Sequence, residues 1–109
     1  MAILVPYFRV RDAEASARWY ARLGFVVTSR HQFEPGFPLL ISIERDGILI
    51  YLSEHDGDAP PESLAYLHIE DVGPLAASLE LAVGETDYQR REIEVVDPDG
   101  NRLRIGSPV

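Results

Sequence analysis

The 109-residue sequence contains no cysteine. Disulfide bonds, a thiol nucleophile and a thiolate metal site are therefore excluded. No apolar run approaches the roughly 20 residues that a transmembrane helix needs. The stretch MAILVPYFRV has neither a basic segment ahead of its apolar residues nor a small-residue cleavage site, which argues against a signal peptide. We therefore expect a cytoplasmic protein that does not bind a membrane.

Basic residues are also few, because 10 Lys and Arg stand against 18 Asp and Glu, giving a net charge of −8. Binding to a nucleic-acid backbone needs a basic surface, so we expect no nucleic-acid partner. An acidic surface attracts cationic ligands at long range, although solubility alone also accounts for it. The sequence further lacks a Ser-His-Asp order, a glycine-rich phosphate loop and a dinucleotide fingerprint.

What is present is an apolar fraction of 46%, which suits one small globular domain. Strand-like alternation, helical spacing and turn residues occur twice in the same order. In the first helix, Ala15, Trp19 and Leu23 have four-residue spacing, so we expect Trp19 to pack in the core or in a dimer interface. The first half predicts a strand at Ile3–Val10, a helix over DAEASARWYARLG capped by Asp12, a strand at Phe25–His31, and a hairpin of Leu39–Arg45 with Ile48–Ser53 around Asp46-Gly47.

The second half repeats this order, and HIED at His68 to Asp71 corresponds to RVRD at Arg9 to Asp12. It is shorter, and we place the loss around the strand after its helix. The predicted fold class is therefore α+β, a single domain of tandem βαβββ modules spanning residues 1–54 and 63–109, joined by a linker at 55–62. The second half predicts strands at Leu64–Ile69, Glu92–Val96 and Arg102–Ile105, with a turn at Asp99-Gly100 between the last two. Its helix is predicted over VGPLAASLELAVG, with Leu75, Leu79 and Ala82 pointing inward and Gly84 ending it.

The two faces of the predicted strands differ in chemistry, because successive side chains point to opposite sides of a sheet. The face expected to pack on the helices is aliphatic or aromatic, and consists of Phe8, Val10, Ile41, Ile43, Ile48, Ile50, Leu52, Leu67, Ile69, Ile93, Val95, Leu103 and Ile105. The opposite face consists of Tyr7, Arg9, Ser42, Glu44, Tyr51, Ser53, Tyr66, His68, Glu92, Glu94, Arg102 and Arg104. It has no lysine and several tyrosines, which favours a pocket for an organic ligand over a merely solvated surface. The alternative is that Arg102 and Arg104 only pair with Glu92 and Glu94 across neighbouring strands.

Three stretches resemble the vicinal oxygen chelate superfamily, which includes glyoxalases, extradiol dioxygenases and bleomycin-resistance proteins. They are VPYFRVRDAEASARWYARLGF, AYLHIEDV and REIEVVDPDGNRLRIGSP, and together they cover nearly the whole chain. The two ends are most similar to the bleomycin-resistance branch. The resemblance implies sheets curled into a half-barrel with a central cavity, and a homodimer whose first strand is exchanged near Pro6. It also implies that a drug is bound in clefts at the dimer interface, without catalysis.

The same resemblance implies a divalent metal in the superfamily's enzymes, held by His, Glu or Gln on four strands. The corresponding positions here are Val5, Leu49, Leu64 and Arg104. None of these side chains offers a lone pair to a cation. We therefore predict no metal and no cofactor, and catalysis is disfavoured. A different metal site, built from His68 with a glutamate of the same face, stays an alternative.

The candidate ligand-binding residues lie on the polar face and in two neighbouring segments. The loop QFEPGFP carries two aromatic side chains that either fold back on the core or contact a ligand. Tyr88 precedes the last hairpin, near where the resistance branch often has an aromatic residue that stacks on flat drugs. His68 is also the best candidate for an acid or base on this face. The full set is Phe33, Phe37, Tyr7, Tyr51, Tyr66, His68, Tyr88, Glu92, Arg102 and Arg104.

These features favour a non-catalytic protein of the bleomycin-resistance kind, which binds and sequesters a flat, cationic or amphipathic antibiotic-type small molecule. One alternative is a metal-dependent glyoxalase-like lyase or dioxygenase with a displaced metal site. Another is a dimeric regulatory or structural module with an empty cavity.

Overall fold

The computed structural model describes residues 1–109 as an α+β protein. Its backbone contacts divide the chain into two compact units. The first unit comprises Met1–Ser63 and Asp97–Asn101, and the second comprises Leu64–Val96 and Arg102–Val109. No helix has both the length and the apolar composition needed to cross a membrane.

Both units contain a strand, a helix and then three more strands. The first unit contains β1 (Tyr7–Arg9), α1 (Ala13–Ala21), β2 (Val26–Gln32), β3 (Leu39–Arg45) and β4 (Ile48–Ser53). The second contains β5 (Leu64–His68), α2 (Gly73–Ser78), β6 (Gly84–Glu85), β7 (Arg90–Val96) and β8 (Arg102–Pro108). The sheets are open, with strand orders β1-β4-β3-β2 and β5-β8-β7-β6. In the first sheet β1 runs parallel to its neighbour β4, and in the second β5 runs parallel to its neighbour β8. The predicted α+β class and tandem βαβββ order are confirmed, and so is the shortened second module, because β6 has two residues where β2 has seven.

The core of the first unit lies between α1 and one face of its sheet. The helix contacts β2, β3 and β4. The buried sheet residues are those expected from the alternation, namely Phe8, Ile41, Ile43, Ile50 and Leu52. Ile48 is the exception: the prediction that it is buried is wrong, because it lies beside the Asp46-Gly47 turn, paired with Arg45, and is 49% exposed.

Helix α1 begins where the sequence predicts it, because the Asp12 side chain accepts a hydrogen bond from the N–H of Ala15 at 3.1 Å. Its buried stripe has the predicted spacing but a different phase, since Ala13, Ala17 and Tyr20 are buried. Trp19 is only half-buried and packs edge-on against Tyr20, with ring centroids 4.8 Å apart. Tyr20 and the small alanines, rather than Trp19, therefore form the buried side of the helix.

Helix α2 is shorter than the sequence predicts and ends at Ser78. Glu80 adopts a positive φ of 57° there, and the N–H groups of Glu80 and Leu81 donate back to the carbonyls of Ala77 and Ala76. This pairing is the Schellman type of helix end, usually built on glycine. The prediction that Gly84 stops the helix is wrong, because Gly84 lies in β6, and the prediction that Ala82 points inward is also wrong, because it is exposed.

The core of the second unit lies on the face of its sheet that carries Leu67, Ile93, Val95, Leu103 and Ile105, all buried, together with Val72 and Ala76 of the α2 segment. The N–H of Val72, the helix N-cap, donates to the Ser107 hydroxyl of β8 at 3.0 Å. Ile69 was expected here and is only half-buried, since it follows the end of β5.

Strand ends differ from the predictions where proline or long-range pairing intervenes. The predicted strand at Ile3–Val10 is reduced to Tyr7–Arg9, because Pro6 has no N–H to donate, and Ile3 and Leu4 are exposed. Both β7 and β8 are longer than predicted, since their pairing continues to Arg90 and Pro108. The hairpin strands β3 and β4 have the predicted bounds, and Asp46 and Gly47 both take positive φ, as a two-residue hairpin turn requires.

Candidate ligand-binding site

The second sheet presents an open face, defined as the side opposite its buried aliphatic residues. Register across β5, β8 and β7 places the side chains of this face in rows. The rows are Leu64, Arg102 and Val96; then Tyr66, Arg104 and Glu94; then His68, Gly106 and Glu92; and finally Pro108 and Arg90. Six of the ten candidate residues named from the sequence concern this unit, and five of those stand in these rows. The sixth, Tyr88, precedes β7.

Tyr66 reaches across the central strand because Gly106 has no side chain. A Cβ atom built on Gly106 would overlap the Tyr66 hydroxyl and come within 2.9 Å of its Cζ. The tyrosine therefore passes from β5 over β8, and its hydroxyl donates to Glu92 Oε2 on β7 at 2.8 Å. A glycine inside a strand often marks such a close approach.

Glu92 is held by two phenols. The Tyr88 hydroxyl also donates to Oε2, at 2.6 Å, whereas Oε1 accepts no hydrogen bond from the protein. The hydrogen bond from Tyr88 is the main cause that lowers the pKa of Glu92, with a smaller contribution from Tyr66 and opposition from desolvation. The same bond raises the pKa of Tyr88. Glu92 is therefore kept as an oriented carboxylate with one free oxygen.

Arg90 joins His68 to this group. Its Nη2 lies 2.8 Å from His68 Nδ1, its Nε lies 3.4 Å from the Tyr66 hydroxyl, and its guanidinium carbon lies 5.8 Å from the Tyr66 ring centroid. A guanidinium can only donate hydrogen bonds, so His68 Nδ1 is the acceptor in this contact. The Tyr66 and His68 rings are 4.5 Å apart.

The two arginines of β8 share one carboxylate. Glu94 Oε1 lies 3.0 Å from Arg104 Nε and 3.6 Å from Arg102 Nη1. The expected cross-strand pairing is therefore present for Glu94, and the hydrogen bond to Glu94 raises the pKa of Arg104. The pairing expected for Glu92 is absent, because Glu92 is bound by Tyr66 and Tyr88 instead.

The first sheet also has an open face, opposite the side that packs on α1. Tyr7 and Tyr51 are neighbours there in register, and their rings meet edge to face at 5.0 Å. The serines of this face are buried: Ser42 accepts a hydrogen bond from Thr28 at 2.9 Å, and Ser53 donates to Asp58 at 2.7 Å. This face therefore combines an aromatic pair and satisfied hydroxyl groups with Arg9, which pairs with Asp56, and the half-buried Glu44.

Phe33 and Phe37 lie in the loop between β2 and β3, with their ring centroids 5.7 Å apart. They are 75% and 46% exposed, so neither folds back into the core. The loop is fixed by Gln32, whose side-chain amide donates to the carbonyl of Phe37 at 2.7 Å.

The DPDGN segment, Asp97 to Asn101, is structural. Asp97 and Asn101 are buried, and Asp97 Oδ2 accepts hydrogen bonds from the Tyr20 hydroxyl at 2.8 Å and from the Asn101 amide at 3.0 Å. Asn101 also donates to the carbonyl of Arg9 and accepts from the N–H of Ser63. Burial, followed by the charge of Asp97, strongly raises the pKa of Tyr20. These polar groups satisfy one another and do not form a reactive centre.

A cleft of the first unit, with a volume of about 380 Å³, lies away from the predicted residues. It is lined by Arg9, Val10, Arg11, Pro61, Glu62, Pro98 and Asp99. Its arginines are already paired, Arg11 with Asp99 at 2.8 Å and Arg9 with Asp56. Both arginines of the cleft therefore already bind a carboxylate, although Arg9 Nε is buried without a hydrogen-bond partner.

The divalent metal that the resemblance implies does not fit the side chains of this chain. Leu49, Leu64 and Arg104 stand on open sheet faces and Val5 precedes β1, and none can coordinate a cation. No group of three or more His, Cys, Asp or Glu side chains is close enough to hold an ion.

Sequence reasoning missed Arg90 and Gly106. Arg90 has the same strand parity as Glu92 and Glu94, so extending the predicted strand by two residues finds it. A glycine within an alternating strand is noticeable in the sequence. Its role could not be predicted, however, because it depends on which side chain of the neighbouring strand lies over it.

Comparison with known proteins agrees with this architecture. A family model described as "Glyoxalase superfamily protein" matches residues 1–109. No curated protein matches the chain significantly. A bleomycin-binding protein solved with bleomycin has 19% identity and a TM-score of 0.76, with 100% of each chain covered. TnmS3, an antibiotic-binding protein from Streptomyces, has 22% identity and a TM-score of 0.73, covering 100% of this chain and 99% of that one. TioX from Micromonospora has 12% identity and a TM-score of 0.81, with 100% of both chains covered.

The likeness to these structures concerns the fold, and the full-length match to the family model settles the family. The resemblance read from the ends and middle of the sequence is confirmed. The chain belongs to the glyoxalase superfamily.

Proposed function

We propose that this protein binds and sequesters an antibiotic-type organic molecule on the open face of its second sheet, without catalysis. The observation that carries the proposal is Tyr66 lying across Gly106, with its hydroxyl bound to Glu92. An aromatic surface fixed by hydrogen bonds beside a free carboxylate oxygen is a pre-organised binding site, which needs little ordering when a ligand arrives.

Structures of similar fold support this class of function. Two of them are named for binding bleomycin or an antibiotic. The donor chemistry of Val5, Leu49, Leu64 and Arg104 also favours direct contacts between ligand and side chains over contacts through a metal.

The other candidate residues extend the proposal to the first unit. Tyr7 and Tyr51 offer an aromatic edge-to-face pair, and the exposed rings of Phe33 and Phe37 are free to pack on a flat molecule. We propose that they contribute contact area, whereas Tyr66, Glu92 and Arg104 fix orientation.

We also propose a homodimer, with the first strand exchanged near Pro6. Support comes from the shortness of β1 and from the exposure of Met1, Ile3 and Leu4 ahead of it. Light scattering at several protein concentrations tests this part separately, and a monomer at all of them contradicts it.

Binding is tested by titrating the protein with a panel of antibiotics that includes bleomycin, following intrinsic fluorescence and the thermal midpoint. We expect at least one compound to bind, and Tyr66→Ala to abolish that binding. Arg91→Gln is the matched control, because Arg91 lies on the opposite face of β7 and pairs with Asp71. A panel in which nothing binds, or binding that Tyr66→Ala leaves intact, contradicts the proposal.

A further inference from the structure

We propose that the open face of the second sheet selects an anionic ligand, a flat or apolar body carrying a carboxylate or phenolate that binds Arg102 and Arg104. This inference rests on the proposed function and specifies its ligand class, and it departs from the cationic ligand that the net charge of the chain suggests.

The first argument is the charge of the face. Its rows contain three arginines, Arg90, Arg102 and Arg104, against two glutamates, Glu92 and Glu94, which leaves one positive charge in excess. The chain as a whole has a net charge of −8, and all its basic residues are arginine. The face therefore has the opposite sign to the protein that carries it.

The second argument is the number of unused donors. Arg104 uses Nε for Glu94, and both of its Nη atoms make no hydrogen bond. The Arg102 side chain makes no hydrogen bond, since its nearest acidic oxygen, Glu94 Oε1, is 3.6 Å from Nη1. One carboxylate between two guanidiniums orients them without neutralising both. A planar guanidinium with free Nη groups matches the two oxygens of a carboxylate.

The third argument places the anion at the end of the face that carries Arg102 and Arg104. Arg90 is occupied by His68 and Tyr66, and Glu92 by two tyrosines. The first two rows keep most of the unused guanidinium donors, because Arg90 keeps only Nη1 without a partner, whereas Arg104 keeps both Nη atoms and the Arg102 side chain makes no hydrogen bond. Glu92 Oε1 at the other end remains available for a neutral donor group of the same ligand.

The fourth argument is the apolar surface beside the guanidiniums. Leu64 and Val96 flank Arg102 in register, one on each side, and are 44% and 53% exposed. Tyr66 flanks Arg104 in the next row. Exposed aliphatic and aromatic side chains around a positive charge suit an aromatic acid, whose ring and carboxylate lie in one plane.

The test uses three molecules of the same shape and different charge: 2-naphthoate, 2-naphthamide and 2-naphthamidine. Backbone amide NMR titration measures each affinity in the millimolar range and identifies the residues that shift. We expect the anion to bind about 10-fold more tightly than the amide, and the amidine most weakly, with shifts at residues of the first two rows. The preference for the anion should fall as salt is added.

Variants assign the charge to its residues. Arg104→Gln and Arg102→Gln should each lower the affinity for naphthoate to about that of naphthamide for the same variant. Arg91→Gln, which removes an arginine from the other face of the same sheet, should change neither affinity.

Three results overturn the inference. The first is equal binding of all three probes, and the second is tighter binding of the amidine. The third is an arginine variant that changes the oligomeric state instead of affinity, which would make this face an interface between copies. If the antibiotic panel yields a cationic ligand that depends on Tyr66, the proposed function stands and this inference fails. If neither the panel nor the probes bind, both fail.

Discussion

The open faces of the two sheets are built on the same βαβββ order and differ in chemistry. In the first sheet the serines are buried and satisfy neighbouring groups, Arg9 pairs with Asp56, and the aromatic contribution is the Tyr7–Tyr51 pair. In the second sheet, arginine, glutamate, tyrosine and histidine form an exposed network with unused donors and one unused acceptor. The repeat decides which positions face outward, and the side chains at those positions decide whether the face is structural or binding.

The largest expected effect comes from the buried polar network of the first unit. Asp97→Ala leaves the Tyr20 hydroxyl, the Asn101 amide and two backbone N–H groups without their acceptor. We expect the free energy of unfolding in urea to fall by about 3–4 kcal/mol, because buried unsatisfied groups are costly. Asp56→Ala, at an exposed acid, should cost less than about 1 kcal/mol. Equal effects would mean that the network does not stabilise the unit.

The next largest effect is expected at Gly106, which makes room for Tyr66 on the open face of the second sheet. Gly106→Ala forces Tyr66 off the strand, and we expect a loss of about 1–3 kcal/mol in stability together with loss of ligand binding. Combining it with Tyr66→Ala should recover most of that stability loss, because the clash disappears. Urea unfolding of the two single variants and the double variant measures this coupling. If the losses of unfolding free energy in the two single variants simply add in the double variant, Gly106 is needed for the backbone conformation and not to make room for Tyr66.

A smaller effect concerns protonation of the second face. Tyr88→Phe should raise the pKa of Glu92 toward its ordinary value, and more so than Tyr66→Phe, because the hydrogen bond from Tyr88 is the larger cause. The lowered pKa means that the contribution of Glu92 to stability is present above its unfolded-state pKa, and is lost as pH falls through the folded-state pKa. Carboxyl carbon NMR titration gives both values. Tyr7→Phe is the control, since the Tyr7 hydroxyl donates no hydrogen bond; an identical shift in that variant would contradict the assignment.

The smallest effect on stability is expected at Glu94. Its ion pairs are half-exposed, so Glu94→Gln should change the free energy of unfolding by less than about 1 kcal/mol. The same change removes the shared carboxylate from Arg102 and Arg104, and we expect the affinity for 2-naphthoate to rise about 2-fold to 5-fold. Calorimetric titration detects this gain, and a loss of affinity would show that orientation of the guanidiniums outweighs their charge.

The sequence was sufficient for features that depend on local pattern. Alternation and the Asp-Gly turn gave β3 and β4 their correct bounds, and the side-chain order of both open faces followed from strand parity. Local pattern failed where a residue took an unusual conformation, as at Glu80, whose positive φ ends α2 early.

The site could be predicted only in part, because its contacts depend on pairing between distant strands. One interpretation of the sequence paired Glu92 with an arginine of the neighbouring strand, yet its partners are tyrosines from β5 and from the segment before β7. That choice depends on the order β5-β8-β7 and on the missing side chain at Gly106. Neither is visible before the register is known.

The DPDGN segment belongs to the first unit, although in the sequence it follows Leu64–Val96, which form most of the second unit. A fragment ending at Ser63 would leave the Tyr20 hydroxyl, the Arg9 carbonyl and the Ser63 N–H without the partners they have in the intact chain. A cut within the predicted linker at 55–62 would therefore separate the first unit from the five residues that complete its buried polar network. Any exchange of halves between relatives would have to carry these five late residues along with the first sixty-three.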